Sequence, residues 1–382
     1  MPTDLTVVHV DQRLPRQWSG AVYLSGPTPT DPQVPSWRGE AVAALRKLWS
    51  GSGRLAVFVP EPSPGGDYPD YADQIAWEEE AMRLSDVVAF YIPRRMPRLP
   101  GLVSNIKWGA WHDSGRVVLG TPPEADRMEY LLHFAKELGV PVAHTIEDTA
   151  RAALEMVGGG APRQAGERAV PLLVWRSARF REWYAARTAV GDELLDARVE
   201  WYRHRPGARS DDWSLSVSVR RAGTDAAVDG RLDAERPDTR AILLHGDPDR
   251  ARFRATTIVL AAHPATCMRL TDDGRALSLP TAPADADDAS LVALIARWTG
   301  LQITPDRLRH GPAVQPDHAS SPYRTAPVAV RLTVAELRHL RSAAGAEDPR
   351  FVVGSVADLH SEGASDWATL GLVTHGLLAA AD

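Results

Sequence analysis

Short apolar runs alternate with helical patterns through the first part of the chain, and this alternation limits the fold more than any other feature. The runs with the length of strands are Ala21–Ser25, Leu55–Val59, Val87–Ile92, Arg116–Leu119 and Val140–Ala143. The helical patterns cover about Trp37–Trp49, Gln74–Leu84, Asn105–His112 and Pro122–Leu138. Strands that are apolar throughout are buried on both faces, so the pattern predicts an α/β domain with a doubly wound parallel sheet. Ligands of such sheets bind at the carboxyl ends of the strands.

The last of these helices carries sequence signals at both ends. Thr121 is a candidate N-cap, Pro122 suits the first helical position, and Glu124 follows three residues after Thr121. Gly139 is typical of a helix C-terminus, because glycine adopts the left-handed conformation found there. The signals predict a helix that begins at Pro122 and ends before Gly139.

The second part of the chain shows a different pattern. Trp213–Arg220 alternates apolar and polar residues, which is typical of a half-buried antiparallel strand. The other strand candidates are Ala241–Leu244, Thr256–Ala262 and Ala326–Leu332. The helix candidates are Ala178–Ala186, Ala289–Trp298 and Val334–Ser342, the last preceded by a capping box of Thr333 and Glu336. The polar segment Gly223–Asp238 is predicted to be a loop, and the whole part is predicted to be α+β.

A glycine-containing polar segment marks the predicted domain boundary. Gly158–Gly166 follows a helical pattern and precedes the apolar run Val170–Trp175. Such segments form flexible connections. We therefore predict a first domain at residues 1–157, a linker at 158–168 and a second domain at 169–382.

Composition excludes several classes of protein. A chain of 382 residues is long enough for two or three domains with cores of their own. The net charge of −6 gives no general attraction to nucleic acid or to anionic membranes. A single cysteine excludes an internal disulfide and a cysteine zinc site. With no membrane span, no secretion signal, no P-loop and no GxGxxG motif, the sequence predicts a cytoplasmic protein without a cofactor.

Polar residues follow two of the predicted strands. Ser25, Gly26 and Pro27 end the first strand, where glycine permits close approach of a ligand and serine offers a hydroxyl. Ser104 and Asn105 open the third helix, and the backbone N–H groups of a helix start suit a phosphate. A simple N-cap is the alternative interpretation of Ser104 and Asn105.

An acidic helix precedes the third strand. Glu78, Glu79 and Glu80 run consecutively, and Asp86 follows eight residues after Glu78. Glu79 and Glu80 are expected to form a solvated face. Glu78 is a candidate ligand-binding residue and a candidate catalytic base. Asp86 is a candidate ligand contact, with a role in fixing the geometry of its loop as the alternative.

These elements, in this order, resemble the nucleoside 2-deoxyribosyltransferase-like family over about residues 20–155. The motifs that carry the resemblance are Ser25-Gly26-Pro27, Trp77-Glu78, Ser85-Asp86, Ser104-Asn105 and Thr121-Pro122-Pro123-Glu124. The resemblance implies a flavodoxin-like parallel sheet that binds a nucleoside or nucleotide. It also implies that Glu78 holds the base or the sugar hydroxyls, and that a serine near Ser104 contacts a 5′-phosphate.

Lys107 departs from the pattern of that family. The family reaction displaces the base at the anomeric carbon with a glutamate nucleophile, two residues before a helix glycine. Lys107-Trp108-Gly109 occupies that position here. An ammonium group has no free lone pair and repels the positive charge that develops on the sugar, so Lys107 is predicted to be non-catalytic and could bind phosphate instead.

The second domain resembles a degenerate Nudix hydrolase. Leu279-Pro280 and Thr299-Gly300-Leu301 frame the helix of a Nudix box. The glutamates that would gather Mg²⁺ in such a box are replaced by Ala293, Leu294, Arg297 and Trp298. Asp285, Asp287 and Asp288 precede the helix, where acidic residues favour the helix dipole without binding metal.

Three functions remain open from the sequence. The leading hypothesis is a nucleoside- or nucleotide-binding protein with a sensory or regulatory role, because both domains have lost catalytic acids. An active nucleotide N-glycosidase or nucleoside 2-deoxyribosyltransferase is the alternative, and an interaction protein without a ligand is the third. The predicted partner is a nucleoside or nucleotide, with no membrane and no nucleic acid; a homo-oligomer or a protein partner is left open.

Overall fold

The computed structural model describes residues 4–29, 35–204, 211–234, 238–247, 250–264, 275–315, 323–344, 351–361 and 367–380. The chain forms two compact units, Met1–Glu235 and Arg236–Asp382.

The first unit contains the parallel sheet and a smaller antiparallel one. Its strands are β1 (Leu5–His9), β2 (Gln17–Trp18), β3 (Gly20–Ser25), β4 (Leu55–Val59), β5 (Val87–Tyr91), β6 (Val117–Gly120), β7 (Val142–Ala143), β8 (Arg163–Gln164), β9 (Glu193–Arg203), β10 (Asp212–Arg220) and β11 (Ala227–Asp233). Its α-helices are α1 (Arg38–Leu48), α2 (Tyr71–Leu84), α3 (Leu102–Trp111), α4 (Glu129–Glu137), α5 (Ile146–Val157), α6 (Leu172–Trp175) and α7 (Ala178–Ala189).

Six strands form the predicted parallel sheet, in the order β1-β4-β3-β5-β6-β7. Each neighbouring pair is parallel. Side chains on the two faces of the strands belong to two separate cores: Tyr23 packs with Ala81 of α2 and Trp108 of α3, whereas Val22 packs with Leu45 of α1 and Ala153 of α5. Helices therefore cover both faces, which confirms the doubly wound α/β fold.

The predicted start of the fourth helix is wrong. The helix begins at Glu129 instead of Pro122. Glu124 accepts a hydrogen bond from Arg95 at 3.0 Å, and the Thr121 hydroxyl donates to the Ile92 carbonyl at 3.3 Å. Because both side chains bind the loop after β5, neither caps a helix. The end of the helix is as predicted, since Gly139 follows it with a left-handed φ of 67°.

The segment predicted as a flexible linker packs into the first unit. Arg163 is 2% exposed and pairs with β2 through the short strand β8. The boundary between the compact units falls at Glu235 and Arg236 rather than at residues 158–168. The glycine-rich composition of the segment reflects tight turns, because Gly158 and Gly160 adopt positive φ angles of 57° and 73°.

The polar segment Gly223–Asp238 is not a simple loop. Ala227–Asp233 forms β11, which pairs antiparallel with β10, with Gly230 opposite Val217. The order of this sheet is β11-β10-β9. Most side chains of β11 are exposed, so the strand lacks the apolar alternation that made β10 recognisable.

The second unit is built around one mixed sheet. Its strands are β12 (Thr239–His245), β13 (Thr257–Pro264), β14 (Arg275–Ser278), β15 (Thr281–Pro283), β16 (Arg309–His310), β17 (Thr325–Arg331) and β18 (Phe351–Ser355). Its α-helices are α8 (Asp288–Thr299), α9 (Val334–Ala343), α10 (Val356–Ser361) and α11 (Trp367–Ala380). The strands β12 and β17 are parallel and the other pairs are antiparallel. The predicted α+β class is confirmed, and among the described helices none is long and apolar enough to cross a bilayer.

The capping box at the start of α9 leads to a test of stability against pH. Glu336 accepts hydrogen bonds from the Thr333 backbone at 2.7 Å and from Arg307 at 2.7 and 2.9 Å. These donors lower the pKa of Glu336 to about 2 from 4.5. The carboxylate therefore stabilises the fold fully above pH 4.5, and this contribution is lost as the pH falls towards 2.

We expect Glu336→Gln to lower the free energy of unfolding of this unit by about 1 kcal/mol at neutral pH. The difference from the wild type should shrink between pH 4.5 and 2 in thermal unfolding followed by circular dichroism. Arg338→Gln, an exposed change on the same helix, is the control and should stay within about 0.5 kcal/mol. A difference that does not vary with pH would contradict the role of the carboxylate.

Candidate functional site

Glu78 and Lys107 meet over the parallel sheet. The Lys107 ammonium donates to a carboxylate oxygen of Glu78 and, at 3.2 Å, to the hydroxyl of Tyr23. Gln74, one helical turn before Glu78, donates to the other carboxylate oxygen at 3.0 Å. Tyr23 lies on β3, Glu78 on α2 and Lys107 on α3. The structure therefore brings Glu78, the predicted binding residue, into direct contact with Lys107, which occupies the position where the resemblance implies a nucleophile.

A second ion pair lies close to the first. Arg38, at the start of α1, is buried and pairs with Glu61 at 2.6 Å. Glu61 follows the carboxyl end of β4, and both Glu61 and Glu78 act electrostatically on Tyr68. We call the five groups Tyr23, Arg38, Glu61, Glu78 and Lys107 the edge cluster. The cluster lies at the carboxyl edge of the sheet, where ligands of this fold class bind.

Burial changes the titration of two groups in the edge cluster. Desolvation lowers the pKa of Lys107 despite the opposing attraction of Glu78, because the side chain is largely removed from water. Burial also raises the pKa of Tyr23 well above its usual range, with a further contribution from Glu78. Tyr23 therefore keeps its proton at neutral pH and can donate a hydrogen bond. The Lys107 and Glu78 side chains are 17% and 11% exposed, so solvent still reaches them.

Arg38 was missed by the sequence reasoning, although the sequence holds a signal for it. Its guanidinium donates to the carbonyls of Leu24 at 3.2 Å and Gly26 at 2.6 Å. These bonds fix the backbone just after β3. Arg38 shares a helix face with the buried Ala41 and Leu45, and an arginine in such an apolar register needs buried partners.

Gly26, predicted to allow a ligand to approach the backbone, is closely packed by protein atoms on its Cβ side. A Cβ atom on Gly26 would lie 2.2 Å from the Tyr91 carbonyl oxygen and 2.7 Å from the Trp37 ring, so protein atoms fill that space. The Pro27 carbonyl accepts a hydrogen bond from the Trp37 indole at 3.1 Å. Ser25 is fully buried, and its hydroxyl has no hydrogen-bond partner among the described residues.

Ser104 and Asn105 lie in the first turn of α3 rather than at its N-cap. The helix begins at Leu102, and its N-cap is Gly101 with a left-handed φ of 65°. Ser104 is buried. A Cβ atom on Gly101 would lie 3.7 Å from Pro27 and 3.6 Å from the Ser104 hydroxyl. The helix start therefore adjoins the loop after β3, as the phosphate-binding interpretation requires.

Arg94 is a second cation that the sequence reasoning missed. Its guanidinium donates to the side-chain oxygen of Asn105 and, at 2.7 Å, to the Arg127 carbonyl. Its Nε atom is buried and has no partner among the described residues. An arginine with a free buried donor, beside a helix start, offers positive charge to an anion at this edge.

The structure does not bring Asp86 to the carboxyl edge. Asp86 directly precedes β5, at the opposite end of the strand. Its two oxygens accept from both terminal nitrogens of Arg163, at 2.6 and 2.8 Å, and from the Ala21 and Leu172 backbones at 2.8 Å. The carboxylate is thereby satisfied by protein, so Asp86 fixes the fold, the alternative that the sequence left open.

The acidic residues before α8 act as helix-start residues. Asp287 is the N-cap and accepts from the Ser290 backbone at 2.8 Å. Asp288 pairs with His310 at 3.1 Å. Trp298, at a position where the Nudix resemblance implies a glutamate, packs edge-to-face against Phe351. Within the described ranges no group of three potential metal ligands occurs.

The first part of the chain matches a known family. Residues 19–125 match the family model "Nucleoside 2-deoxyribosyltransferase like", and the match contains β3 to β6 and the whole edge cluster. This segment is therefore deoxyribosyltransferase-like, which confirms the resemblance. A comparison with curated proteins finds no match to the chain.

Several solved structures resemble parts of the chain at low identity. An ADP compounds hydrolase is 11% identical with a TM-score of 0.31, over 50% of this chain and 92% of its own. A mutT/nudix family protein from Listeria innocua is 12% identical with a TM-score of 0.28, over 38% and 96%. A chain from the complex of the mouse MUTYH C-terminal domain with human PCNA is 14% identical with a TM-score of 0.26, over 36% and 84%. Likenesses at this level say nothing about the activity of the chain.

Proposed function

We propose that the protein binds a nucleoside or nucleotide at the edge cluster and does not carry out the glycosyl-ester reaction of its family. The observation that carries this proposal is the contact between Lys107 and Glu78. The amine occupies the position of the nucleophilic glutamate and neutralises the neighbouring carboxylate. A sensory or regulatory role follows from binding without turnover.

The surroundings of the pair support a sugar and a phosphate as the bound groups. Glu78 and Tyr23 present an acceptor and a donor, which suit sugar hydroxyls. Arg94 and the start of α3 present donors and positive charge, which suit a 5′-phosphate. The free buried hydroxyl of Ser25 lies at the carboxyl end of β3, two residues after Tyr23.

Ligand-dependent unfolding tests the proposal. We expect 2′-deoxynucleosides or their 5′-monophosphates to raise the melting temperature of the wild type, since a ligand at 100 times its Kd adds about 2.7 kcal/mol to the free energy of unfolding. Chromatography of the same mixtures should show no released base. Glu78→Gln should weaken the stabilisation, because the amide loses the charge that pairs with Lys107.

The matched control is Glu79→Gln, which removes an exposed carboxylate from the next position of the same helix. It should leave the stabilisation unchanged. If no nucleoside or nucleotide raises the melting temperature, the binding proposal is rejected. If the wild type releases base and Glu78→Gln does not, the non-catalytic part is rejected.

A further inference from the structure

Lys107 differs from the other lysines of the chain in its surroundings. The chain has only three lysines: Lys47, Lys107 and Lys136. Lys47 has a side chain that is 69% exposed and pairs with Glu147 on the surface, and Lys136 is exposed on α4. Lys107 alone lies between a buried tyrosine and a nearly buried carboxylate. Water alone keeps a surface lysine charged, so a lysine there needs no such neighbours. Around Lys107 the carboxylate and the phenol can instead exchange protons and donate hydrogen bonds during a reaction.

We propose that the Lys107 amine captures the aldehyde carbon of an aldopentose or its 5-phosphate as a Schiff base. The choice of sugar rests on the proposed function, because an aldopentose is the sugar part of the nucleosides and nucleotides that we propose the site binds. The Lys107 amine is assigned as the reacting group because it contacts both Glu78 and Tyr23. Lys107 thus keeps the nucleophile position of the family but changes the bond that it can form.

The three groups supply the proton transfers and the hydrogen bond that the reaction needs. Glu78 takes one proton from the Lys107 ammonium, which leaves a neutral amine with a free lone pair. The amine attacks the aldehyde carbon, a carbon–nitrogen bond forms, and the carbonyl oxygen takes the proton back from Glu78 while the Tyr23 hydroxyl donates a hydrogen bond to that oxygen. Glu78 then takes the surplus proton from the nitrogen of this carbinolamine and passes it to the hydroxyl. The hydroxyl leaves as water, and a protonated imine remains beside the Glu78 carboxylate.

The step balances in atoms and charge. An ammonium and an aldehyde give an iminium ion and one water molecule, so the charge stays +1 and no oxidant or reductant is consumed. The iminium ion keeps its positive charge beside the Glu78 carboxylate, which stabilises it as it stabilised the ammonium. Desolvation, which lowers the pKa of Lys107, increases the neutral amine that is available at neutral pH.

Reductive trapping on the intact protein tests the inference. The full-length protein is incubated with 2-deoxyribose 5-phosphate, reduced with sodium borohydride and analysed by peptide mass mapping. We expect at least about tenfold more adduct on Lys107 than on Lys47 or Lys136, because the positioned neighbours favour the reaction at one amine. Lys107→Arg, which keeps the positive charge, should abolish this adduct, and Glu78→Gln should slow its formation. Lys47→Arg is the matched control and should leave the Lys107 adduct unchanged.

The outcomes separate this inference from the proposed function. Equal labelling of all three lysines, or an unlabelled Lys107 in a protein that nucleotides stabilise, overturns the Schiff base and leaves the nucleotide proposal standing. A selective Lys107 adduct in a protein that no nucleoside or nucleotide stabilises supports the Schiff base and rejects the nucleotide proposal. Because the three lysines are compared within the wild type, the result does not depend on the folding of a variant.

Discussion

Asp86→Asn is expected to lower the free energy of unfolding of the first unit by about 3–5 kcal/mol, because it leaves the buried Arg163 charge without a counterion. The side chains of Arg163 and Asp86 are 0% and 1% exposed. All the groups that bind Asp86 are donors: two guanidinium nitrogens and two backbone N–H groups. The side-chain NH₂ group of asparagine is also a donor, so it would face these donors without an acceptor. Few single changes cost more, since both an unpaired charge and unmet hydrogen bonds result.

Urea unfolding followed by tryptophan fluorescence measures this effect. Of the 12 tryptophans, only Trp298 and Trp367 follow residue 235, so the signal reports mainly on the first unit. The control is Glu147→Gln, which breaks an exposed pair with Lys47 and should cost about 0–1 kcal/mol.

A double variant tests the pairing itself. The double variant Asp86→Asn with Arg163→Met should lower the free energy of unfolding by less than the sum of the two single variants. Neither partner is then left as an unpaired buried group. If Asp86→Asn lowers the free energy of unfolding by no more than Glu147→Gln does, the buried pair does not stabilise the first unit.

Lys107→Glu is expected to create N-glycosidic cleavage, which we propose that the wild type lacks. The change places two carboxylates side by side in a partly buried site. Like charges in such a site raise the pKa of one carboxylate and leave the other ionised, which gives an acid and a nucleophile. The phenol of Tyr23 and the amide of Gln74 remain to orient the pair.

Base release from 2′-deoxynucleosides, measured by chromatography, gives the result. Lys107→Gln has almost the same shape without the charge and is the matched control. We expect release by Lys107→Glu to exceed that by Lys107→Gln by roughly 10²–10⁴-fold, the usual contribution of a positioned acid or base. Equal and negligible release by two folded variants would show that the site lacks more than the glutamate.

The architecture of the first unit follows from its apolar pattern. Leu55–Val59 is predicted and observed with the same bounds. The strands β3 and β5 differ from their predicted bounds by one residue at one end, and β6 differs by one residue at each end. These strands are buried on both faces, so their residues are apolar almost without interruption, and the apolar run in the sequence marks the strand. The capping box of Thr333 and Glu336 is confirmed as well, because all its atoms lie within four residues.

The predictions that failed depended on contacts between distant residues. The signals at Thr121 and Glu124 are those of a helix start, but Ile92 and Arg95 compete for the same side chains. The segment 158–168 has the composition of a linker, but Arg163 anchors it to Asp86, 77 residues earlier. Local patterns cannot indicate such partners, because hydrogen bonds between distant segments exist only after the chain has folded.

By itself, the sequence determined the two fold classes, the family resemblance of the first part and the presence of Lys107 where that resemblance implies a glutamate. These follow from residue identity and short-range periodicity. Only the tertiary structure decided that Lys107 contacts Glu78, that Asp86 serves the fold, and that Arg38 and Arg94 lie at the carboxyl edge. Charges act on neighbours in space, and in a buried site their protonation and reactivity depend on which neighbours the fold supplies.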